Sequence, residues 1–266
     1  MTRPIPSQYA PVVEALELDA AVLVTNESLR RHLHDAAVGS DPTVAIHRLA
    51  AHGWLLPTGV RGVWEFAPGS HAGPVSHGHP FLTLEAQLLA TPELSARVAL
   101  ESAMWLAGLI DRAPARHVVS VEKSVRVPTA LTRAYDVVRF DAVCPADRVG
   151  GVPVSSPATV LAHLATSPTA VANWGLVLDG LADLVDIADR EAVHAELQGR
   201  SNAARARFAY LVAPFDPDFV ESIDVADSGV VWFGPRKGVR RSDSRWNIVD
   251  TVLPVSPTEA ARTERR

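Results

Sequence analysis

The sequence predicts an α+β protein in which a small helical module with a hairpin precedes a larger mixed α/β domain. Helical apolar spacing gives way to strand-like runs without regular βαβ alternation. A stretch rich in Gly, Pro and Ser near residues 67–80 separates the two parts. The 266 residues, 47% hydrophobic and 21% charged, are enough for two ordinary domains. We expect a first domain over residues 1–69, a linker over 70–80, a second domain over 81–254 and a flexible polar tail over 255–266.

Three helices are predicted in the first module from apolar spacing and from capping residues. The first covers residues 7–18. A short apolar run of strand length follows, and Thr25 is a suitable N-cap for the second helix, which we expect to stop near Gly39. Asp41 caps the third helix, and Pro42 occupies its first turn, where the missing N–H costs nothing.

The third helix has two distinct faces, followed by a hairpin. The inner face is expected to contain Ala45, Ile46, Leu49 and Ala50, and the outer face Thr43, Val44, His47, Arg48 and Ala51. Residues 54–56 and 63–66 read as two strands joined by a glycine-containing turn over 57–62.

The second domain is predicted more coarsely. Residues 81–109 read as largely helical with a break at Thr91-Pro92, and Val98, Ser102, Trp105 and Leu109 fall on one helical stripe. Strands are predicted over 118–121, 135–140, 151–154, 229–234 and 246–253, and helices over 157–166, 169–187, 190–197 and 202–212.

The order of elements in the first module is typical of a winged helix-turn-helix, whose last helix lies in the major groove of DNA. Arg48 then reaches guanine O6 and N7, and Thr43 or His47 reaches a base edge or a phosphate. The helix that begins after Thr25 offers free N–H groups to phosphate. Arg61, at the tip of the wing, is expected to reach an adjacent backbone or minor groove, and Arg30 and Arg31 form a smaller candidate contact.

The charge balance argues against strong DNA binding by the first module alone. The chain has a net charge of -5, and nucleic-acid binders usually have a basic footprint. Over residues 1–70 the acids Glu14, Glu17, Asp19, Glu27, Asp35, Asp41 and Glu65 outnumber the basic residues Arg3, Arg30, Arg31, Arg48 and Arg61. Because phosphate contacts supply most non-specific affinity, this module is expected to bind weakly by itself.

A basic stretch in the second domain supplies a candidate for the missing positive charge. It contains Arg236, Lys237, Arg240, Arg241 and Arg245 against a single acid, Asp243. Three interpretations stay open: a phosphate-binding extension of the DNA surface, a docking surface for an acidic partner, and a solvated loop.

Several segments resemble the AbiEi family, especially mycobacterial-type members. In the first module these are residues 22–29, 41–46, 52–55 and 62–66, and further along they are residues 99–109 and 152–161. The resemblance covers residues from about 20 to about 165 and rests on the order of the segments. It implies the antitoxin of an AbiE-type, type IV toxin–antitoxin pair.

The resemblance also implies partners and an arrangement of roles. Such a protein binds double-stranded DNA at its own promoter, here expected at inverted repeats, and represses its operon through the winged helix. Its C-terminal domain counteracts a toxin of nucleotidyltransferase fold, directly or indirectly. Thr43, His47 and Arg48 match the recognition helix and Arg61 the wing.

Catalysis, cofactor binding and metal binding are not predicted. The chain has no P-loop, dinucleotide-binding, nucleophile-elbow or zinc-protease motif. The histidines His71, His77 and His79 lack a neighbouring cysteine or carboxylate ligand and read as a solvated linker. For a nuclease, the adjacent Glu122 and Lys123 would point to opposite faces of a strand. A nuclease-like DNA-processing protein and a winged-helix module for protein interaction are the alternatives.

We expect a cytoplasmic protein. The single cysteine, Cys144, allows no internal disulfide, as in reducing compartments. The N-terminal residues include no apolar secretion segment, and no apolar run has the length of a membrane span.

Overall fold

The computed structural model describes residues 4–71, 73–226 and 229–264 and has a mixed α+β architecture. In chain order it begins with α1 (Ala10–Leu18), β1 (Leu23–Thr25), α2 (Asn26–Asp35), α3 (Pro42–Ala51), β2 (Leu55–Pro57), β3 (Val63–Phe66) and α4 (Leu82–Ala90). It continues with β4 (Ala96–Val98), α5 (Leu100–Leu106), β5 (Val118–Val121), α6 (Thr129–Ala134), β6 (Asp136–Arg139), β7 (Asp147–Val149), β8 (Val152–Val154), α7 (Pro157–Thr166), α8 (Trp174–Asp179), α9 (Leu181–Ile187), α10 (Arg190–Leu197), α11 (Asn202–Val212), α12 (Pro217–Glu221), β9 (Val231–Phe233), β10 (Arg241–Asp243), β11 (Ile248–Asp250) and α13 (Pro257–Glu264).

The chain folds into two compact units. The first contains the described residues up to Leu94 together with Pro128–Ala134, and the second contains the rest. The expected boundary differs from this division, because α4 and the segment that contains α6 belong to the first unit. In the sequence, α6 lies between β5 and β6 of the second unit. Its membership of the first unit could therefore not be predicted from a division into consecutive domains.

The first unit buries one main core beneath three helices and a small sheet. The sheet has the strand order β1-β3-β2 and is antiparallel throughout. Its core contains Tyr9, Val12, Val13, Leu16, Val24, Leu29, Leu33, Ala45, Ile46, Leu49, Trp54, Leu55 and Phe66. Burial of apolar side chains from every one of these helices and strands holds them as one cooperative module.

The starts of α2 and α3 are stabilised by the side chains that the sequence indicated. The Ser28 N–H donates to Thr25 Oγ1 over 3.1 Å, and the Thr25 N–H donates to Ser28 Oγ over 2.9 Å, which forms a reciprocal cap. Asp41 Oδ1 accepts the Thr43 N–H over 2.8 Å, with Pro42 in the first turn of α3. The predicted end of α2 near Gly39 is corrected: the helix ends at Asp35, and Ala37 takes the left-handed conformation with φ 55°.

The segment expected as a solvated linker is attached to the first unit by two carboxylates. Glu17 Oε1 accepts the Gly69 N–H over 2.6 Å. Buried Glu65 accepts hydrogen bonds from the N–H of His77 and from its Nδ1, the latter over 3.0 Å. The segment has no helix or strand over its described residues, and Ala72 lies outside them.

The second unit contains two sheets. The larger has the order β6-β5-β4-β8-β7, in which β4 pairs antiparallel with β5 and parallel with β8. The smaller has the order β10-β11-β9, with β11 parallel to β9 and antiparallel to β10. Residues 158–165 of α7 are all buried, which makes this helix a central element of the unit.

An ion pair lies inside this second unit, at α10. Glu196 of α10 is fully buried and accepts hydrogen bonds from Thr159 Oγ1 over 2.7 Å and from the Cys144 N–H over 2.9 Å. Arg200 lies 3.1 Å from its other oxygen. These contacts connect α7, α10 and the loop after β6. Each charged or polar group in them has a partner, so the network can stabilise the unit.

Two helix predictions in the second unit were wrong. Residues 96–98 form strand β4 at the centre of the larger sheet, so Val98 does not share a helical stripe with Ser102. In a short apolar run, periodicity alone cannot distinguish a central strand from a buried helix. The single helix expected over 169–187 is interrupted at Gly180, where a Cβ atom would lie 2.3 Å from the Leu109 carbonyl oxygen.

The C-terminal segment and several short elements also differ from expectation. Instead of a flexible tail, residues 257–264 form α13, in which Ala261 is buried. Arg265 and Arg266, also predicted as tail, lie outside the described residues. The sequence indicated neither α6, α12, β7 nor β10, each of at most six residues, because elements this short show little periodicity.

Candidate nucleic-acid interface

The outer face of α3 is the strongest candidate interface in the first unit. Its residues Thr43, Val44, His47, Arg48 and Ala51 are all exposed, as the sequence predicted, while Ala45, Ile46 and Leu49 are buried. Ala50, expected on the inner face, is exposed as well. The C-terminal end of the helix is completed by His52, whose Nδ1 donates to the Arg48 carbonyl oxygen over 2.8 Å.

Basic side chains of the first unit are available for intermolecular contacts. Arg30 and Arg31 are exposed on α2, and Arg48 and Arg61 are exposed on α3 and on the β2–β3 turn. Among the described residues, the ion pairs involve none of these four arginines. A guanidinium that binds neither a carboxylate nor a carbonyl group of its own chain keeps its five donors for an external acceptor.

Thr25 has a structural role at the N-terminus of α2. It is half-buried, and its hydroxyl oxygen accepts the Ser28 N–H as part of the cap. Its hydroxyl is therefore already used within the chain. Any anion contact at this end of α2 belongs to backbone N–H groups that the cap leaves exposed.

The β2–β3 turn presents Arg61 from a well-defined backbone. Gly59 and Gly62 both have φ 82°, a backbone conformation that residues with a Cβ atom rarely adopt. Thr58 Oγ1 donates to the Val63 carbonyl over 2.8 Å and accepts the Val60 N–H over 3.2 Å. This local bonding orders the turn while Arg61 stays exposed.

A small apolar cluster beneath the turn was not found by sequence reasoning. Val60, Val63 and Ala86 are buried together, and Ala130 of α6 packs against them. Thr83 Oγ1 of α4 also donates to the Thr58 carbonyl over 3.3 Å. The turn that holds Arg61 is therefore supported by α4 and α6, which the sequence placed in the other domain.

Several acids of the first unit are engaged with backbone N–H groups rather than left unpaired. Glu17 and Glu65 hold the segment after β3, and Asp41 caps α3. The Thr43 N–H, and more weakly the charge of Arg30, hold the pKa of Asp41 below its ordinary value. The excess of acids in this unit thus partly reflects structural roles.

The basic stretch of the second unit contains two arginines that bind groups of the chain itself, Arg240 and Arg241. Arg241 donates to Asp250 Oδ2 over 2.6 Å and also to the carbonyl oxygens of Leu253 and Pro254. The Arg241 side chain is 25% exposed and that of Asp250 0%. Arg240 is exposed but donates to the carbonyl oxygens of Val252 and Leu253. Both side chains therefore hold the chain after β11.

The other three cations of this stretch are exposed. Arg236 and Lys237 are exposed in the connection between β9 and β10. Arg245 is exposed, and its guanidinium lies 4.8 Å from the ring centre of Trp246. These three side chains are the part of the stretch that is accessible to an external anion.

Two residues considered for the alternative metal and nuclease sites have partners within the chain. His77 is held by Glu65, and Lys123 pairs with Asp141 over 3.5 Å. Within residues 4–71, 73–226 and 229–264, no group of three or more His, Cys, Asp or Glu is arranged to hold a metal ion. None of the helices in that part of the chain combines the length and hydropathy needed to cross a bilayer.

Comparison with known proteins agrees with the resemblance seen in the sequence. Residues 96–213 match the family described as the AbiEi antitoxin C-terminal domain. This part of the chain is similar to an AbiEi antitoxin domain. This match lies in the second unit except for its α6 segment, and it confirms the predicted resemblance.

A solved structure resembles the chain over nearly its whole length. It is titled the crystal structure of the RV2827C protein from Mycobacterium tuberculosis, and it aligns with a TM-score of 0.81 and 26% sequence identity. The alignment covers 99% of this chain and 97% of that chain. No curated protein matches the chain. The similarity to this mycobacterial protein thus extends over both units of the chain.

Proposed function

We propose that the chain is a DNA-binding antitoxin that represses its own operon, with the first unit acting as a winged helix-turn-helix. The observation that supports this most directly is the outer face of α3. That face is exposed along its length and carries Arg48 without an intramolecular ion pair. A helix of this kind that lies in the major groove uses such an arginine to bind guanine O6 and N7.

The wing and the N-terminus of α2 are proposed to hold the DNA backbone. Arg61 extends from an ordered turn, and Arg30 and Arg31 extend from α2. Thr43 and His47 lie beside Arg48 on α3 and contact a base edge or a phosphate. Arg236, Lys237 and Arg245 of the second unit are the proposed additional phosphate contacts, because Arg240 and Arg241 already bind carbonyl and carboxylate groups.

The antitoxin part of the proposal rests on residues 96–213. An antitoxin domain implies a toxin as partner, and we propose a toxin of nucleotidyltransferase fold, counteracted directly or indirectly. We further propose a cytoplasmic protein that works by binding rather than by catalysis. Its DNA target is double-stranded promoter DNA, with inverted repeats as the expected site.

DNA binding is tested by titrating duplex DNA from immediately upstream of the gene with the full chain. The expected result is a shift that prefers this DNA over unrelated DNA and weakens steeply with salt, because phosphate contacts release counterions. Binding that shows neither salt dependence nor sequence preference contradicts the repressor proposal and favours a protein-interaction module.

Arg48→Ala tests the assignment of α3. We expect a loss of about 1–3 kcal/mol in binding and relaxed preference at one guanine, since one bidentate contact is removed. The free energy of unfolding is expected to stay unchanged, because Arg48 is exposed. Arg112→Ala, which removes an exposed arginine outside the first unit, is the matched control. Unchanged affinity and preference for Arg48→Ala would show that another surface reads the DNA.

Antitoxin activity needs a separate measurement. Expression of the neighbouring gene product alone is expected to stop growth, and co-expression of the full chain to restore it. Arg48→Ala is expected to restore growth as well when it is expressed from a foreign promoter, because the proposed toxin-directed part lies in the second unit. Failure of the unaltered chain to restore growth would contradict the antitoxin role.

A further inference from the structure

Val44 is a bulky apolar side chain on the outer face of α3. It lies in the first turn of the helix and is 49% exposed, while the next two residues, Ala45 and Ile46, are buried. The other exposed residues of α3, all within the described part of the chain, are polar, charged or alanine. Val44 therefore contributes an apolar surface that the core of the first unit does not use.

The helical phase places Val44 on the same stripe as Arg48 and Ala51. Residues four and seven positions apart lie on one face of a helix. At a rise of about 1.5 Å per residue, Val44 and Arg48 are separated by about 6 Å along the axis of α3. Successive base pairs are about 3.4 Å apart, so the two side chains span about two base pairs.

The major groove contains one apolar group that matches this side chain. The thymine C5-methyl group projects into the groove beside the donor and acceptor atoms of the neighbouring pairs. Valine is branched at Cβ and has one strongly preferred rotamer in a helix, so its methyl groups are held in place before DNA arrives. A preformed apolar contact costs little side-chain entropy on binding.

We propose that Val44 determines sequence specificity by contacting the methyl group of a thymine within about two base pairs of the guanine bound by Arg48. This inference rests on the proposed function of α3 and adds to it a second base in the recognised sequence. Arg48 selects guanine by hydrogen bonds, whereas Val44 selects thymine by burial of a methyl group.

The test replaces thymine by deoxyuridine, which differs only in lacking the methyl group. Each thymine of the upstream duplex is replaced singly, and the Kd of the full chain is measured for every duplex. The expected result is one position per half-site at which the unaltered chain binds about fourfold more weakly, as burial of one methyl group predicts. That position lies within about two base pairs of the guanine whose identity no longer matters in Arg48→Ala.

Val44→Ala and Val44→Thr complete the experiment. In Val44→Ala the difference between thymine and deoxyuridine disappears at that position, and in Val44→Thr, which keeps one methyl group, part of it remains. Val75→Ala, an exposed valine outside α3, keeps the full difference. Both residues changed in these three variants are on the surface, so thermal unfolding is expected to match that of the unaltered chain.

The outcomes separate this inference from the proposed function. Sequence-specific binding in which Val44→Ala keeps the full thymine preference overturns the role of Val44 and leaves DNA binding intact. Equal binding of all deoxyuridine duplexes by the unaltered chain does the same. Absence of any sequence-specific binding overturns the proposed function and this inference together.

Discussion

The outer face of α3 and the basic stretch from Arg236 to Arg245 are both arginine-containing segments, yet they use arginine differently. On α3, Arg48 is exposed and has no carboxylate partner among the described residues. In the basic stretch, Arg241 binds Asp250 and two carbonyl oxygens. A cluster of basic residues in a sequence can therefore be assigned to a binding surface only when the internal partners of each residue are known.

The largest expected effect is the loss of stability in Arg241→Ala. This change leaves Asp250, which is 0% exposed, without its cationic partner, and we expect the free energy of unfolding to fall by about 3 kcal/mol. Urea denaturation of the full chain measures it. Arg240→Ala is the matched control, with an expected loss of about 1 kcal/mol, because it removes only hydrogen bonds to carbonyl groups. Equal losses for the two variants would show that the ion pair is not what distinguishes these neighbours.

A second prediction concerns the support of the wing. Ala130→Glu places a longer, charged side chain against Val60, Val63 and Ala86, and we expect a loss of about 1–3 kcal/mol in stability. DNA affinity is expected to fall while base preference on α3 is kept, because Arg61 is displaced and Arg48 is not. Thr132→Glu, an exposed change in the same helix, is the control. Loss of base preference together with affinity would contradict the separation of wing and α3.

A buried histidine, His163, differs from both the exposed Arg48 and the paired Arg241. His163 of α7 is 1% exposed, and neither ring nitrogen has a hydrogen-bond partner among the described residues. Burial, with a smaller contribution from the charge of Arg200, lowers the pKa of His163 to about 3. In contrast to Arg241, this side chain therefore stays neutral instead of acquiring a counterion.

This neutrality predicts a pH dependence of stability. Above the ordinary histidine pKa of 6.5, both folded and unfolded states are neutral and the group has no effect. As pH falls from 6.5 towards about 3, only the unfolded chain takes up the proton. The free energy of unfolding then falls by up to about 1.4 kcal/mol per pH unit.

His163→Leu is expected to remove this contribution. The variant and the unaltered chain are compared by urea denaturation at neutral and at mildly acidic pH, and the variant is expected to lose less stability on acidification. His52→Leu, a partly exposed histidine in the first unit, is expected to keep most of the acid sensitivity. Identical slopes for His163→Leu and the unaltered chain would show that His163 is protonated in the folded state.

The smallest expected effect concerns the exposed cations of the basic stretch. Arg236→Ala combined with Lys237→Ala is expected to reduce the slope of log affinity against log salt by up to about 1.8, which corresponds to two phosphate contacts. Stability is expected to stay within about 0.5 kcal/mol, as for other surface changes. An unchanged salt slope would remove the second unit from the proposed DNA surface and leave the solvated-loop or acidic-partner interpretation of these residues.

The local elements of the first unit follow directly from sequence. Thr25, Asp41 and Pro42 mark the starts of α2 and α3, and the glycines of the 57–62 turn mark the hairpin. The exposed face of α3 was likewise predictable, because helical periodicity separates Arg48 from the buried Leu49. Such features depend on neighbours within one turn or one hairpin, so their causes are contained in a few consecutive residues.

Long-range contacts could not be read in the same way. The strand at residues 96–98 exists because β5 and β8 lie on either side of it, and the wing is supported by α6 from a distant part of the chain. The separation of Arg241 from Arg236 depends on the position of Asp250. By itself the sequence therefore determined the caps, the hairpin and the exposed face of α3, whereas the tertiary structure decided which charges are paired, because pairing depends on residues that only folding brings together.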